Sequence, residues 1–364
     1  MTSKIALPHV IVIGGCGFLG HHIVNLLLQQ HPEAAISVLD LHTNNNRVPN
    51  VQYFDGDITK PEDVVAAYRG SKAQVVINTV SPLAATASAM AKEIYYKVNV
   101  EGTKTLLEIA AEEKIPVFVY TSSAGVVTDN INDLINVDET YPINPSNPDS
   151  YSDSKAKGEE FVTAFNGKGG VNTCSLRVAG LFGPGDRQMV PGMLSVLKNN
   201  QTKFQLGTND NLFDFTYIEN AAYAHILAAE RMIHQLSSPP QNPSQKVAGQ
   251  VFFITNGEPV YFWDFPRAIW AMYGGHVAPY QIKLGKDLGY ALAWAAEWYA
   301  WLVKKEPGFT RFRVNYATSQ RYFNIKKAKT LLGYQPLYSL YDGLEKSVKW
   351  FKDQEAATEQ KKGQ

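Results

Sequence analysis

The run Val10-Ile11-Val12-Ile13, followed at once by Gly14, Gly17 and Gly20, constrains the fold more than any other part of the chain. Four β-branched residues in a row suit a buried strand. Three glycines at three-residue spacing then suit a tight turn whose backbone approaches a pyrophosphate and whose last glycine lets the next helix pack on the strand. Phe18 and Leu19 open that helix, so its free amides and its dipole favour phosphate at the same spot. Glycines alone would equally serve a packing turn. Asp40 shifts the balance, because it ends the second apolar run, twenty residues past Gly20, where a carboxylate accepts hydrogen bonds from ribose hydroxyls. Its charge would repel a 2′-phosphate, which favours NAD, while Arg47 nearby in sequence leaves NADP open.

Strand-length apolar runs at 9–13, 35–40, 51–55, 74–79, 116–121 and 173–178 alternate with helical patterns, clearest at 18–30, 61–69, 89–113 and 151–165. Continuous apolar strands separated by helices predict an α/β fold, a Rossmann-type doubly wound parallel sheet covered on both faces. After Gly180 the rhythm breaks into loops rich in Gly, Pro and Asn. The expected division is a dinucleotide-binding Rossmann domain over 1–180 and a smaller, irregular C-terminal substrate-binding portion over 181–351. Segments of that second portion are expected to return to the sheet, and 352–364 to form a polar tail. Ligands of such a sheet lie beyond the carboxyl ends of its strands. Asp57 and Ile58, after the third strand, are candidates for the adenine. Thr79, Val80 and Ser81, after the fourth, are candidates for ribose and phosphates. Each of these would also serve as an ordinary loop before the following helix.

Charge points away from nucleic acid: 34 basic residues balance 34 acidic ones, so no net field gathers a polyanion. Cys16 and Cys174 stand far apart and have neither metal nor redox spacing, and the His21-His22 pair lacks ligand partners. No metal site is expected, and the free thiols suit a reducing compartment. No secretory leader is expected in residues 1–8.

Chemistry enters with Tyr151-Ser152-Asp153-Ser154-Lys155, which opens a helix after a proline-rich segment. A phenol titrates near pH 10, too high for a base at neutrality. An ammonium four residues on shares its helical face and, with a cationic nicotinamide, would lower that value. Tyr151 would then take the proton of a substrate hydroxyl while hydride leaves the same carbon. Lys155 would also hold the nicotinamide ribose. A Tyr and a Lys four apart arise often by chance, but the fifth strand ends in Tyr120-Thr121-Ser122-Ser123 at the sheet's ligand edge. One of these hydroxyls would bond the developing carbonyl oxygen. Ser123 is the first choice and Ser122 the reserve.

These motifs together resemble the extended short-chain dehydrogenases, more closely their 3β-hydroxysteroid dehydrogenase branch, and within it the decarboxylating sterol-4α-carboxylate 3-dehydrogenases of fungi. The likeness runs from the glycine loop to Gly343. It is carried by 120–126, Asp138-Glu139-Thr140, Tyr151 with Lys155, 182–188, 211–217, 252–256, 305–308 and Leu331-Leu332-Gly333-Tyr334. It implies that Asn99 supports the active site and that the residue after Arg177 faces the nicotinamide. That residue is Val178 here, where relatives usually carry proline, and Asn78-Thr79-Val80 also departs from the usual pattern. The implied reaction is oxidation of the 3β-hydroxyl of a 4α-carboxysterol to a ketone, after which the β-keto acid loses carbon dioxide without a metal, as in ergosterol-type sterol synthesis. Arg187 would receive the carboxylate, unless it serves a salt bridge or the cofactor.

Residues 288–303 form the least polar stretch, shorter than a bilayer span and interrupted by Glu297. Trp294, Trp298 and Trp301 fall at helical spacing, with Lys283, Lys286, Lys304 and Lys305 at the ends. A helix lying in a membrane interface is expected, or else a buried lid or dimer helix. The resemblance would place the former at the cytosolic face of the endoplasmic reticulum, with a homodimer also implied. Rival readings are a dehydrogenase of other 3β-hydroxysteroids, of triterpenoids or of meroterpenoids, a nucleotide-sugar epimerase, and a non-catalytic NAD sensor. The apolar, aromatic stretch 262–303 suits a large hydrophobic ligand better than a sugar diphosphate.

Overall fold

The computed structural model describes residues 5–82, 89–145, 147, 149–305 and 307–362. Ser146 and Pro148 of the proline-rich segment, and Glu306 of the 305–308 motif, lie outside them. In chain order, β1 (Val10–Ile13), α1 (Phe18–Gln30), β2 (Ile36–Asp40), β3 (Gln52–Asp55), α2 (Pro61–Ser71) and β4 (Val75–Asn78) come first. Then α3 (Ala89–Tyr96) passes through a π-helical stretch, Lys97–Gly102, into α4 (Thr103–Glu112). The apolar pattern predicts one regular helix there; the wider turn instead sits at Asn99, a residue with work to do in the site. β5 (Val117–Ser123), β6 (Leu134–Val137), α5 (Ser150–Phe165) and β7 (Asn172–Val178) complete the first half.

The second half contains β8 (Gly180–Phe182), α6 (Met189–Lys198), β9 (Phe204–Leu206), β10 (Leu212–Phe213), β11 (Phe215–Tyr217), α7 (Ile218–Ser237) and β12 (Val251–Ile254). It continues through β13 (Val260–Tyr261), α8 (Asp264–Gly274), β14 (Ile282–Leu284), α9 (Lys286–Leu302), α10 (Arg311–Thr318), β15 (Arg321–Phe323) and α11 (Leu340–Lys362).

Among the described residues the main sheet has seven strands in the order β12-β7-β5-β4-β1-β2-β3, all parallel. The chain builds β2 and β3 on one side of β1, then returns to the other side for β4, so the order reverses between β1 and β4. Such a reversal opens a crevice at the carboxyl edge where the two crossovers part. Side chains alternate across the sheet. Val10, Val12, Val117, Val119 and Leu176 join the core beneath α1 and α7, while Ile11, Ile13, Val76, Phe118 and Tyr120 join the one beneath α2, α4 and α5. Both faces are covered, which is why these strands lack polar alternation.

The two halves exchange strands. β12, from beyond residue 250, extends the main sheet beside β7, and α7 packs along α1. In return β6 joins the small sheet β13-β10-β15-β6 of the second half. Helix α9 is attached differently. Gly289, Ala293 and Ala300 face the protein, and Glu297 accepts from Arg311 N and Nε at 2.8 and 2.7 Å. The large side chains point outward: Trp294, Trp298 and Trp301 are 57, 55 and 74% exposed. This helix is therefore not a buried lid within the chain.

One buried ion pair ties the sheet to α5. Glu159 and Arg177 are almost inaccessible, with Arg177 Nη2 2.6 Å from Oε1 and Nε within reach of both carboxylate oxygens. Ser122 Oγ donates to the same carboxylate at 2.5 Å, and the guanidinium lies 5.3 Å from the Phe253 ring on β12. Glu159→Leu would strand the cation and is expected to lower the unfolding free energy by about 3–5 kcal/mol. The urea midpoint reads this, and adding Arg177→Met should recover most of the loss. A Glu159→Leu protein as stable as the parent would show that Arg177 has another partner.

Candidate active site

Gly14 sits where β1 and β4 part. Its φ of +77° lies in the left-handed region, and a Cβ there would stand 2.8 Å from Val80. A Cβ at Gly20 would stand 2.2 Å from the Gly14 carbonyl, so helix α1 can meet the turn only with glycine. Gly17 N donates back to Gly14 O at 3.0 Å, and Gly17 itself is exposed. Leu19 is buried and Phe18 half-buried at the helix start. Asp40 lies across the loop, its Oδ2 accepting from Cys16 N at 3.0 Å. Asn46, not singled out by the sequence pattern, donates to Cys16 O at 2.9 Å. Turn, helix start and carboxylate thus form the cradle that a dinucleotide requires. Arg47 is exposed and stacks 4.5 Å over the Tyr53 ring.

The neighbouring candidates divide. Thr79 closes on β1 through N and Oγ1, both donating to Ile13 O, at 3.0 and 2.8 Å. Val80 N donates to Asn78 Oδ1, and Ser81 Oγ to Pro82 O. These three line the reversal point. Asp57 spends its carboxylate on Thr59 N and Oγ1, at 2.9 and 2.8 Å, and Ile58 is buried in the core beneath Gly102. Only Oδ1 is engaged in this way, while the Asp57 amide donates to Asp63 Oδ2 at 2.8 Å, so of the two side chains Asp57 alone keeps a polar atom, Oδ2, for the crevice.

Ser123 ends β5 beside Tyr151, the second residue of α5, whose first turn Asp149 caps through Ser152 N at 2.8 Å. Ser122 points to the other face of the strand and is taken by Glu159. The choice between the adjacent serines is therefore made by the pleat. Val178 pairs with Ser123 in register, so the ends of β5 and β7 stand side by side. Tyr95 of α3 meets the Tyr151 ring edge-on at 5.9 Å. Asn99 is buried in the π-helical stretch and donates to Ser154 Oγ at 2.9 Å, which in turn donates to Tyr151 O at 2.8 Å. Asn99 acts on the start of α5 rather than on the glycine loop.

Lys155, one turn beyond Tyr151, is buried with its ammonium donating to Thr121 O at 2.8 Å and lying 5.0 Å from the Tyr120 ring. On the other side of that strand, Thr121 Oγ1 meets His225 Nε2 at 2.8 Å, and His225 Nδ1 meets Ala221 O at 2.8 Å. A carbonyl only accepts, so Nδ1 carries the proton and Thr121 donates to Nε2. Burial holds His225 neutral, down to about 4. Burial also moves Tyr151 and Lys155: Tyr151 goes up to about 12, with the nearby Ser123 hydroxyl opposing, and Lys155 comes down to about 7. Without a bound cofactor the phenol is raised, not lowered, because desolvation by burial is the largest cause. A cation seated against the phenol would reverse the sign.

The segment 182–188 lies against the glycine loop's helix. His22 Nε2 donates to Pro184 O at 2.8 Å, and Asp186 caps α6 through the amides of Gln188, Met189 and Val190. Arg187 is exposed and makes no ion pair among the described residues. No group of three or more metal-ligating side chains occurs among the described residues. Tyr95, Glu159 and His225 were not signalled by the sequence, because each meets its partner only through the fold.

Comparison with known proteins agrees with this geometry. Residues 11–284 match the model of the 3-beta hydroxysteroid dehydrogenase/isomerase family. The chain is 49% identical over 345 residues to a Schizosaccharomyces pombe protein, sterol-4-alpha-carboxylate 3-dehydrogenase erg26, decarboxylating, covering 94% of this chain and 96% of that one. It is 39% identical to the Saccharomyces cerevisiae protein of the same description, covering 96% and 98%. Among solved structures, Thermus thermophilus UDP-glucose 4-epimerase in complex with NAD superposes with a TM-score of 0.70 at 19% identity, covering 95% and 99%, and shares the fold. By sequence and by architecture, the chain belongs to the 3-beta hydroxysteroid dehydrogenase/isomerase family.

Proposed function

We propose that this protein oxidises the 3β-hydroxyl of a 4α-carboxysterol with NAD and thereby releases the carboxylate as carbon dioxide. The observation that carries this reading is the placing of Ser123 beside Tyr151, with buried Lys155 one helical turn on, at the carboxyl edge of the sheet, in a chain whose relatives bear that activity in their names. Gly14, Gly17, Gly20 and the start of α1 would hold the pyrophosphate. Asp40 would take the adenosine ribose, Thr79, Val80 and Ser81 the crevice side, and Lys155 and Val178 the nicotinamide side. Bound NAD supplies the hydride acceptor and a positive charge that draws the phenol down from about 12.

Ser123 donates to the substrate's 3-oxygen while Tyr151 takes its proton, and the C3 hydrogen departs as hydride. The product is a β-keto acid. Its C4–carboxylate bond then breaks with the electron pair moving into an enolate toward the new ketone, where the Ser123 hydroxyl stabilises the developing oxyanion. Tyr151, now protonated, stands ready to return its proton. Purified protein given NAD and a 4α-carboxy-3β-hydroxysterol should form NADH and carbon dioxide in equal amounts. Formation of neither would overturn the reading. Tyr151→Phe should lower kcat by 10²-fold or more at nearly unchanged NAD affinity; unaltered turnover would remove Tyr151 as the base.

Asp40 held across the loop, with its carboxylate facing the glycine turn, supports NAD over NADP. Wild type should show at least a tenfold higher kcat/KM with NAD, and Asp40→Ser should narrow that ratio. Equal use of both by wild type would overturn the preference.

The outward face of α9 supports peripheral attachment to a membrane, on this reading the cytosolic face of the endoplasmic reticulum. Leu288, Leu292, Trp294, Trp298, Trp301 and Leu302 are exposed together. No described helix is long and apolar enough to cross a bilayer. An apolar face flanked by lysines suits the interfacial layer instead. A second copy of the chain would cover the same face in a dimer. Flotation with anionic vesicles should carry the wild type upward, and Trp294→Ser with Trp298→Ser and Trp301→Ser should leave it at the bottom. A vesicle-independent dimer that the same substitutions split into monomers would favour the dimer instead.

A further inference from the structure

Arg321, in the middle strand pair of the small sheet, is a buried cation without a matching anion. It is 8% exposed, and no carboxylate lies within ion-pair distance of it among the described residues. Its Nη2 donates to two neutral oxygens, Thr128 Oγ1 at 3.1 Å and Asn130 Oδ1 at 2.7 Å. Its guanidinium carbon lies 5.0 Å from the Tyr316 ring centre. Its Nε is fully buried and finds no acceptor there. A lone desolvated charge is costly, and burial accordingly pushes this guanidinium below its usual range. Arg177, equally buried, by contrast has a carboxylate partner, Glu159, which takes its Nε and Nη2 although its Nη1 finds none. The two acids whose fields reach Arg321 are Asp129 and Asp149, and both are engaged by backbone amides, Asp129 with Ile131 and Asn132, Asp149 with Ser152.

Its surroundings are three pieces of the candidate site. Thr128 follows the short turn Ala124–Val127 that begins directly after Ser123. Asp149 stands two residues before Tyr151, and its charge acts on Tyr151 and Arg321 alike. Tyr316 reaches to 3.7 Å from the position of a Cβ on Gly180, two residues beyond Val178. An unsatisfied cation is thus held among the segments that carry the serine, the tyrosine and the end of β7.

We infer that Arg321 is the receptor for the substrate's carboxylate, completing with an anionic ligand the pairing that the protein itself withholds. This rests on the 4α-carboxysterol reading above, in which the carboxylate sits on the carbon next to the one that Ser123 and Tyr151 engage. A guanidinium offers a carboxylate parallel N–H donors and fixes its plane as well as its position. A neutral 3β-hydroxysteroid offers Arg321 nothing.

The test compares Arg321→Met and Arg321→Lys with wild type, each loaded with NAD, on a 4α-carboxy-3β-hydroxysterol and on the same sterol lacking the carboxylate. Equilibrium binding of the two sterols is measured beside turnover. For the carboxylated sterol, Arg321→Met should lose at least tenfold in both binding and kcat/KM. For the sterol without the carboxylate it should change less than threefold. Arg321→Lys should fall between, because it keeps the charge without the fork, and it serves as the informative variant if Arg321→Met does not fold. Equal loss on both sterols, or no loss on either, would overturn the assignment and leave the substrate reading standing. A wild type that binds neither sterol would overturn the substrate reading and the assignment with it.

Discussion

The junction of β5, β7 and α5 depends on one buried carboxylate. Glu159 receives Arg177 from β7 and Ser122 from β5, so a single residue on the helix fixes its rotation and height against two strands at once. Everything reactive lies within three turns of it. Tyr151 and Lys155 precede Glu159 on the same helix by eight and four residues, and Ser123 follows Ser122 on the same strand. Placing an ion pair there favours geometry over simple stability, since a well-packed apolar pair of similar volume would hold the core at least as well.

The end of β5 is held from every side by a different force. β7 pairs with it through Ser123, whereas β4 stops at the level of Tyr120. The edge that β4 leaves is occupied by Lys155, whose ammonium takes the Thr121 carbonyl. Above and below, Thr121 is tied to His225 and Ser122 to Glu159. The strand therefore emerges from its sheet without losing order. That matters on the proposed reading, in which Tyr151 is the base: burial drives Tyr151 to about 12 and Lys155 to about 7, both toward neutrality. Such a pair is poised to respond to one added positive charge rather than to ionise spontaneously, which ties the base to the presence of its cofactor.

What could be read from the sequence follows the range of the interactions. The glycine loop was legible because strand, turn and helix start lie within about ten consecutive residues and each has a local signature. The doubly wound sheet was legible for the same reason, strand by strand. The choice of Ser123 over Ser122 is not a property of either residue, because the pleat decides which face each one takes and Glu159 is 37 positions away from Ser122. His225 meets Thr121 across 104 positions, and Arg321 meets Thr128 across 193. No periodicity encodes pairings of that length. The π-helical turn at Asn99 escaped for a different reason: its residues have ordinary helix-forming patterns, and only the contact with Ser154 makes the wider turn worthwhile. The join of β12 to β7 likewise appears as one more apolar run in a region whose rhythm had already broken.

Two features among the described residues are opposite in character and suit one amphiphile. Outside, α9 presents a broad apolar face that neither the small residues beneath it nor the Glu297–Arg311 pair conceals. Inside, Arg321 is a cation with no acid of its own. A sterol acid carries the complement of both, an apolar body and a single anionic group. On the proposed reaction the anion is also the group that departs. Once carbon dioxide has left, the product has no charge for Arg321 to hold, while its affinity for an apolar phase is greater than before. If Arg321 holds the acid as inferred, that pairing lapses when the carboxylate leaves, so the step that completes the chemistry would also weaken the hold on the product.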